Sequence, residues 1–229
     1  MSNTNSIMRI QHLKLYSGNL DDQRTFYTEV LGLDLIQEDN YSFSVQVGET
    51  TLTFEETQFK PCYHFAINIP NNQLEHAADW LRSKVNLLPF EGKEVIDFPN
   101  WNAQAVYFYD ADHNIVECIA RRDLPNQSDD LFDSSSFLEI SEVGLPTSDV
   151  LSIAGQLEAE AGLGIYSGDR SRFCAIGDPQ GLFIVVDYHQ KDWIPNMDPA
   201  IPFPFTVTCE VDGAVVLMDY RDEQLVISG

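Results

Sequence analysis

Short runs of alternating apolar and polar residues recur along the chain, and turn-forming residues separate them. Runs of this kind lie at 10–17, 33–38, 41–47 and 50–56. Alternation at a period of two is typical of a strand with one buried face. Residues 21–32 instead place Phe26 and Leu31 on one helical face and end at Gly32, a residue that favours a helix C-terminus. The pattern predicts the order β-α-β-β-β for residues 10–56.

The same order begins twice more. The second repeat has strand-like runs at 62–69, 105–110 and 114–120, a helical stretch at 71–84 and a weak strand at 86–90, with a loop over 91–102. The third has strands at 138–147 and 182–188 and a helix at 149–162. Residues 123–136 are acidic and Ser-rich and contain a Pro, a composition that indicates a linker. Three final runs, 205–211, 214–220 and 223–228, could supply the strands of a fourth unit without a helix.

Charge and composition exclude several classes of function. The chain has 229 residues, of which 13 are Lys or Arg and 36 are Asp or Glu, for a formal charge of −23. Nucleic acids and anionic membrane surfaces both need clustered Lys and Arg, so neither is an expected partner. No run reaches the roughly 18 apolar residues of a membrane span, and the first residues lack the pattern of a signal peptide. The four cysteines form no CxxC pair, and a cytoplasmic protein with reduced thiols is expected.

Three stretches carry a family resemblance. They are IQHLKLYSGNLDDQRTFYTEVLGLDLI (10–36), YHFAINIP (63–70) and VYFYDADHNIVECIA (106–120). Together they resemble the vicinal oxygen chelate superfamily of glyoxalases, fosfomycin-resistance proteins and extradiol dioxygenases. The third stretch is similar to the D-P-D-G-N-x-x-E turn and strand of that family, with Ala111 and His113 in place of Pro and Gly. The resemblance is clear over residues 8–122 and weaker over 137–188.

The resemblance implies an α+β fold in which repeated βαβββ units form open, glyoxalase-like barrels of mixed sheet. Two units of such a barrel enclose a metal between them. Residues 1–122 are then expected to form the paired, metal-binding domain, 123–136 the linker, and 137–229 a degenerate glyoxalase-like C-terminal domain that packs on the first or forms a dimer surface. A homodimer is left open.

The family takes its metal ligands from the first and last strands of the units. Carried over to this chain, the resemblance implies His12, His64 and Glu117 as ligands, with Thr53 at the position where glyoxalase I has a second carboxylate. The chemistry of the residues agrees, because imidazole and carboxylate suit Fe, Mn, Zn or Ni and three ligands leave positions open for substrate. Glu117 also lies within an apolar strand, where an unpaired carboxylate is costly; exposure to solvent, or pairing with Arg121 or Arg122, is the other interpretation.

The third unit is expected to have lost this site. The position of His12 is occupied there by Glu142 and that of Glu117 by Val185. Glu142 could bind a cation, but a solvated strand residue is the simpler interpretation.

A metal with open positions can chelate neighbouring oxygens of a small metabolite, in a lyase, an isomerase or an extradiol dioxygenase. Residues 97–105 contain no His before Val106-Tyr107, which weakens ring cleavage. Tyr107 or Tyr109 could supply a proton in its place, and Tyr107 is the candidate catalytic residue, although packing in a strand is the simpler interpretation of both. A fosfomycin-type enzyme needs a basic pocket, for which the sequence gives little support. The alternative is a non-catalytic protein that sequesters a small molecule, as bleomycin-resistance relatives do.

Overall fold

The computed structural model describes residues 6–229 and contains three βαβββ units followed by three strands. Unit one consists of β1 (Met8–Ser17), α1 (Leu20–Thr25) with a following π-helical turn (Phe26–Val30), β2 (Leu35–Glu38), β3 (Ser42–Val47) and β4 (Thr50–Glu56). Unit two consists of β5 (His64–Ile69), α2 (Leu74–Arg82), β6 (Ile96–Phe98), β7 (Ala103–Tyr109) and β8 (Ile115–Arg121). Unit three consists of β9 (Glu139–Thr147), α3 (Val150–Ala161), β10 (Ile165–Gly168), β11 (Phe173–Asp178) and β12 (Gly181–Asp187). The C-terminal strands are β13 (Phe205–Val211), β14 (Ala214–Arg221) and β15 (Gln224–Ser228).

The strands form two mixed sheets. One has seven strands in the order β15-β14-β13-β1-β4-β3-β2, and the other has eight in the order β10-β11-β12-β9-β5-β8-β7-β6. The α+β fold of repeated units in open mixed sheets, predicted from the sequence, is confirmed.

The pairing of the units differs from the expectation that residues 1–122 form one closed pair. Unit one pairs with the C-terminal strands, since Leu13 of β1 lies opposite Val207 of β13. Unit two pairs with unit three, since Phe65 of β5 lies opposite Val143 of β9. In the folded chain β1 and β13 both alternate between buried and more exposed residues, whereas β5 and β9 are buried at every position, so each pair joins strands of like burial.

Each strand at the centre of the eight-stranded sheet is buried on both faces. Phe65 and Ile67 of β5 point into the main core, which the helices cover. Ala66 between them belongs to a second, smaller apolar cluster on the opposite face. Because side chains alternate along a strand, residues opposite Ala66 on both neighbouring strands share this second face. The candidate site lies on that face.

Residues 123–136, the predicted linker, pack on unit two: the ring of Phe132 lies 5.6 Å from that of Trp80 on α2, and the Gln73 side chain donates to the backbone oxygen of Asp130. Two other segments differ from expectation. Within the predicted loop 91–102 lies β6, whereas the predicted strand at 86–90 contributes isolated bridges only. Over residues 6–229, no helix is both long enough and apolar enough to cross a membrane.

Candidate functional site

Three adjacent strands bring one imidazole and two carboxylates together. His64 begins β5, Glu117 lies on β8 and Glu142 on β9, and one ligand atom from each lies within 4.8 Å of the others. The register explains the convergence, because Ala66 of β5 is opposite Glu117 on one side and Glu142 on the other. All three side chains are buried.

The His64 ring presents its free nitrogen to this group. Its Nδ1 lies 3.1 Å from the backbone oxygen of Ile115, a contact that assigns the proton to Nδ1 and the lone pair to Nε2. The Nε2 atom is 3.7 Å from Oε2 of Glu117. Burial lowers the pKa of His64 to about 4, so the ring is neutral at physiological pH and the contact with Glu117 is not an ion pair. A neutral imidazole held by its other nitrogen is the usual state of a metal-binding histidine.

The two carboxylates are held beside a buried guanidinium. Burial raises the pKa of Glu117 well above its usual range, and the charge of Glu142 adds to the shift. Burial also raises the pKa of Glu142, and the opposite charge of Arg121 limits that shift. The Nη2 of Arg121 contacts the Glu142 carboxylate, and its Nε donates to Asn68 at 3.2 Å. Tyr107 lies directly across β7 and β8 from Glu117.

The donor set fits a divalent metal ion. Imidazole and carboxylate are ligands that Zn, Fe, Mn and Ni accept, and three such ligands leave open positions. Glu117 and Glu142 carry two negative charges when ionised, and Arg121 supplies one positive charge. One negative charge in this buried cluster therefore lacks a partner within the cluster, and a bound cation would supply it.

The structure brings together two of the three predicted ligands. His64 and Glu117 converge, whereas His12 lies on β1 in the other sheet, where its Nε2 is 2.8 Å from Oγ1 of Thr53. The register places Thr53 beside Lys14, and Thr206 of β13 pairs with Lys14 on its other side. The positions in the seven-stranded sheet that correspond to His64, Glu117 and Glu142 are thus occupied by His12, Thr53 and Thr206, a set without a carboxylate.

Glu142 is the residue that sequence reasoning set aside as solvated. It is 3 % exposed and completes the group. The signal that could have found it is the one applied to Glu117, since Glu142 also lies within an apolar strand. The predicted equivalent of Glu117 in unit three also needs correction. Ile184 of β12 lines the site, whereas Val185, the predicted residue, points into the main core.

A cavity of about 380 Å³ opens beside the three residues. Tyr107 lines it together with His64, Glu117 and Glu142. Its walls are otherwise mostly apolar and aromatic; they include Phe98, Trp101, Ile119, Phe173, Ile184, Trp193 and Ile194. Burial raises the pKa of Tyr107 well above its usual range, and Glu117 adds to the shift, so the hydroxyl keeps its proton. A cavity of this size and lining accommodates a small organic molecule.

Comparisons with known proteins agree with this architecture. The family model described as Glyoxalase/Bleomycin resistance protein/Dioxygenase superfamily matches residues 9–118. Metallothiol transferase FosB from Staphylococcus haemolyticus is 27% identical over 119 residues, which span 48% of this chain and 82% of that protein.

Two solved structures share the fold over nearly the whole chain. A Bacillus subtilis strain 168 protein, provisionally named a dioxygenase, superimposes with a TM-score of 0.60 at 16% identity, covering 93% of this chain and 69% of its own. The V278E mutant of glyoxalase I from Zea mays superimposes with a TM-score of 0.55 at 14% identity, and the match covers 97% of this chain and 92% of the maize chain. Residues 9–118 thus belong to the Glyoxalase/Bleomycin resistance protein/Dioxygenase superfamily, also called the vicinal oxygen chelate superfamily, and the fold shared with these two structures continues over the rest of the chain.

Proposed function

We propose that this protein is a metal-dependent enzyme of the superfamily, with a divalent ion (Fe, Mn, Zn or Ni) held by His64, Glu117 and Glu142. The observation that carries the proposal is the convergence of these three buried ligand atoms within 4.8 Å at the wall of a cavity. When bound, such an ion supplies Lewis acidity to two neighbouring oxygens of a small molecule. This ligand set replaces the sequence-based one that included His12.

The surrounding residues have defined roles in the proposal. Tyr107 keeps its proton at neutral pH and donates a hydrogen bond, either to Glu117 or to a substrate oxygen, as the candidate catalytic acid. The ring of Trp193 lies 4.9 Å from that of His64 and excludes water from that side of the imidazole. The hydrogen bond of His64 to Ile115 fixes the orientation of the ring.

The lining favours lyase or isomerase chemistry over ring cleavage. Among the described residues that line the cavity, His64 is the only histidine, so no second imidazole is placed to move a proton. Tyr107 is the candidate for that task, and a neutral phenol suits proton donation to an enolate or alkoxide oxygen better than activation of a catechol. The curated relative is named a transferase, which also favours an enzyme.

Metal analysis of purified, reconstituted protein tests the proposal. We expect close to one ion per chain in the wild type and in His12→Ala, and loss of most of the metal in His64→Ala and Glu142→Gln. The His12→Ala variant is the control, since it removes an imidazole from the other sheet. Loss of metal from His12→Ala with retention in His64→Ala would overturn the ligand set. A wild type that binds no metal but still binds small aromatic molecules would favour the sequestration alternative.

A further inference from the structure

Two cationic side chains line the same cavity and have no carboxylate partner. Arg172 and Lys191 are both part of its wall. Within residues 6–229, neither side chain lies within 4.0 Å of an Asp or Glu oxygen, although the chain has 36 acidic residues and only 13 Lys and Arg. Six of the 13 Lys and Arg side chains have no such partner within the described residues, and Arg172 and Lys191 are the two of them that line this cavity.

Both cations are held on loops of unit three that flank the cavity. Arg172 immediately precedes β11, and its backbone oxygen accepts a hydrogen bond from the amide of Asp187 at 2.9 Å. Lys191 follows β12 and is half-buried, with its Nζ 5.7 Å from the centre of the Phe173 ring. Burial and, less strongly, the like charge of Arg172 lower the pKa of Lys191.

Among the residues that the structure describes, the acidic ones nearby form no ion pair with these two cations. Glu117 and Glu142 line the same cavity, and the charge of Arg172 contributes, as the weakest of the influences, to a lowered pKa at Asp169. Asp97 lines the cavity, but its Oδ1 accepts a hydrogen bond from Gln104 at 2.6 Å. Asp192 is next to Lys191 in sequence and raises its pKa only as the weakest of the influences on it. A negatively charged group from outside the chain would therefore find two available cations.

A third donor lacks a partner. Trp193 lines the cavity and is 3 % exposed, and its Nε1 makes no hydrogen bond. Buried N–H groups are normally paired, so an unpaired one in a cavity wall indicates an acceptor that arrives with the ligand. The remaining wall is largely aromatic, and the Trp101 ring lies between those of Phe98 and Phe173, 6.4 Å from each.

We propose that Arg172 and Lys191 form an anion subsite, and that the ligand of this cavity is a small molecule with an apolar, ring-bearing body and a carboxylate or phosphonate group. The anionic group binds between the two cations, and the ring packs against the aromatic wall. This inference rests on the proposed function only in placing the oxygens that react near His64; the subsite itself depends on other residues.

Intrinsic fluorescence gives a direct test, because two of the three tryptophans, Trp101 and Trp193, line the cavity. We would titrate the wild type with benzoate, with phenylphosphonate and with neutral benzamide. Both anions, or one of them, should bind at least about tenfold more tightly than benzamide, as expected for charge-assisted hydrogen bonds. The tighter of the two identifies the anionic group. Equal affinity for benzamide and both anions would overturn the subsite.

Variants separate this subsite from the metal site. Arg172→Gln and Lys191→Gln should each weaken anion binding several-fold and the double variant at least tenfold, with benzamide unaffected; Lys60→Gln, an exposed lysine outside the cavity, is the matched control. Wild-type affinity in the double variant would refute the subsite.

Metal content is measured on the same samples: if the double variant retains metal but loses the anion, both proposals stand. If the wild type contains no metal but still binds the anion, the subsite stands and the metal-dependent function is refuted.

Discussion

The guanidinium of Arg121 contacts the carboxylate of Glu142 although their strands are not neighbours. Arg121 ends β8 and Glu142 lies on β9, and β5 runs between them. Asn68 of β5 accepts from Arg121 at 3.2 Å and thereby bridges the gap. Both charged side chains are almost completely buried, so each depends on the other for charge compensation.

Replacement of Arg121 by Met should therefore destabilise the metal-free protein. Loss of one partner of a buried ion pair leaves the other charge uncompensated, and we expect the free energy of unfolding to fall by about 3–5 kcal/mol. Urea denaturation in the presence of a chelator measures it. The double variant Arg121→Met/Glu142→Leu should recover most of the loss, because an apolar pair replaces the ionic one. Equal stability of the single and double variants would show that the pair is not coupled.

A methyl group at Gly144 should disturb the wall of the cavity. A Cβ there would lie 2.8 Å from Cζ2 of Trp193 and 3.1 Å from the backbone oxygen of His64. We expect Gly144→Ala to displace the indole, to change the near-ultraviolet circular dichroism and to lower stability by about 1–3 kcal/mol. Gly155→Ala is the control: its Cβ meets no atom within 4 Å, and alanine inside α3 should add about 0.5–1 kcal/mol. An unchanged dichroism spectrum for Gly144→Ala would contradict the expected movement of Trp193.

Asp110 should give the stability a distinct dependence on pH. Burial raises its pKa to about 6, against the hydrogen bonds that it accepts from Asn114, Gln23 and Tyr27. Since the folded pKa exceeds the unfolded value of 3.8, the folded state holds the proton more tightly. The contribution of this group to stability is thus greatest below pH 3.8 and declines as the pH rises to about 6.

The Asp110→Asn variant isolates that contribution because its amide does not titrate. Between pH 4 and 7 the wild type should lose about 2.5 kcal/mol relative to the variant, because about two pKa units separate the folded and unfolded values and part of the loss falls below pH 4. Denaturation curves at one-unit pH intervals measure the difference. Parallel stability profiles for the two proteins would rule out the raised pKa.

His113 should be strained in the turn before β8. Its φ is 64°, in the left-handed region that favours glycine, and it occupies the position where the family motif has Gly. We expect His113→Gly to raise the free energy of unfolding by about 0.5–1 kcal/mol. Gly92→Ala tests the opposite change, because Gly92 has a φ of +79° with open space around it and should lose a similar amount. Thermal denaturation measures whether each variant is more or less stable than the wild type. A less stable His113→Gly variant would contradict the proposed strain.

The sequence predicted the repeated units because their information is local. Alternation, caps and turns placed β1, β5 and β9 within a few residues of their observed bounds. His64 and Glu117 were found together because both belong to unit two, whose strands β5 and β8 pair in parallel.

The partnership between units was not local and was not predicted. The strands β1 and β5 both offer an apolar edge, and the sequence pattern does not distinguish β9 from β13 as their partners. His12 was therefore assigned to the wrong neighbour, and Glu142 was left out. Arg172 and Lys191 could not be placed either, since loop residues follow no periodicity.

The pairing of β1 with β13 has a consequence for biosynthesis. During translation, Met8–Ser17 emerges from the ribosome early, whereas its neighbour Phe205–Val211 arrives only after all three repeats have been made. All strands of the eight-stranded sheet have been made once residue 187 leaves the ribosome. One edge of β1 stays unpaired until β13 has also been made, and an unpaired edge can pair with another chain. Nascent chains that stall before residue 205 therefore expose a strand edge that the finished chain covers.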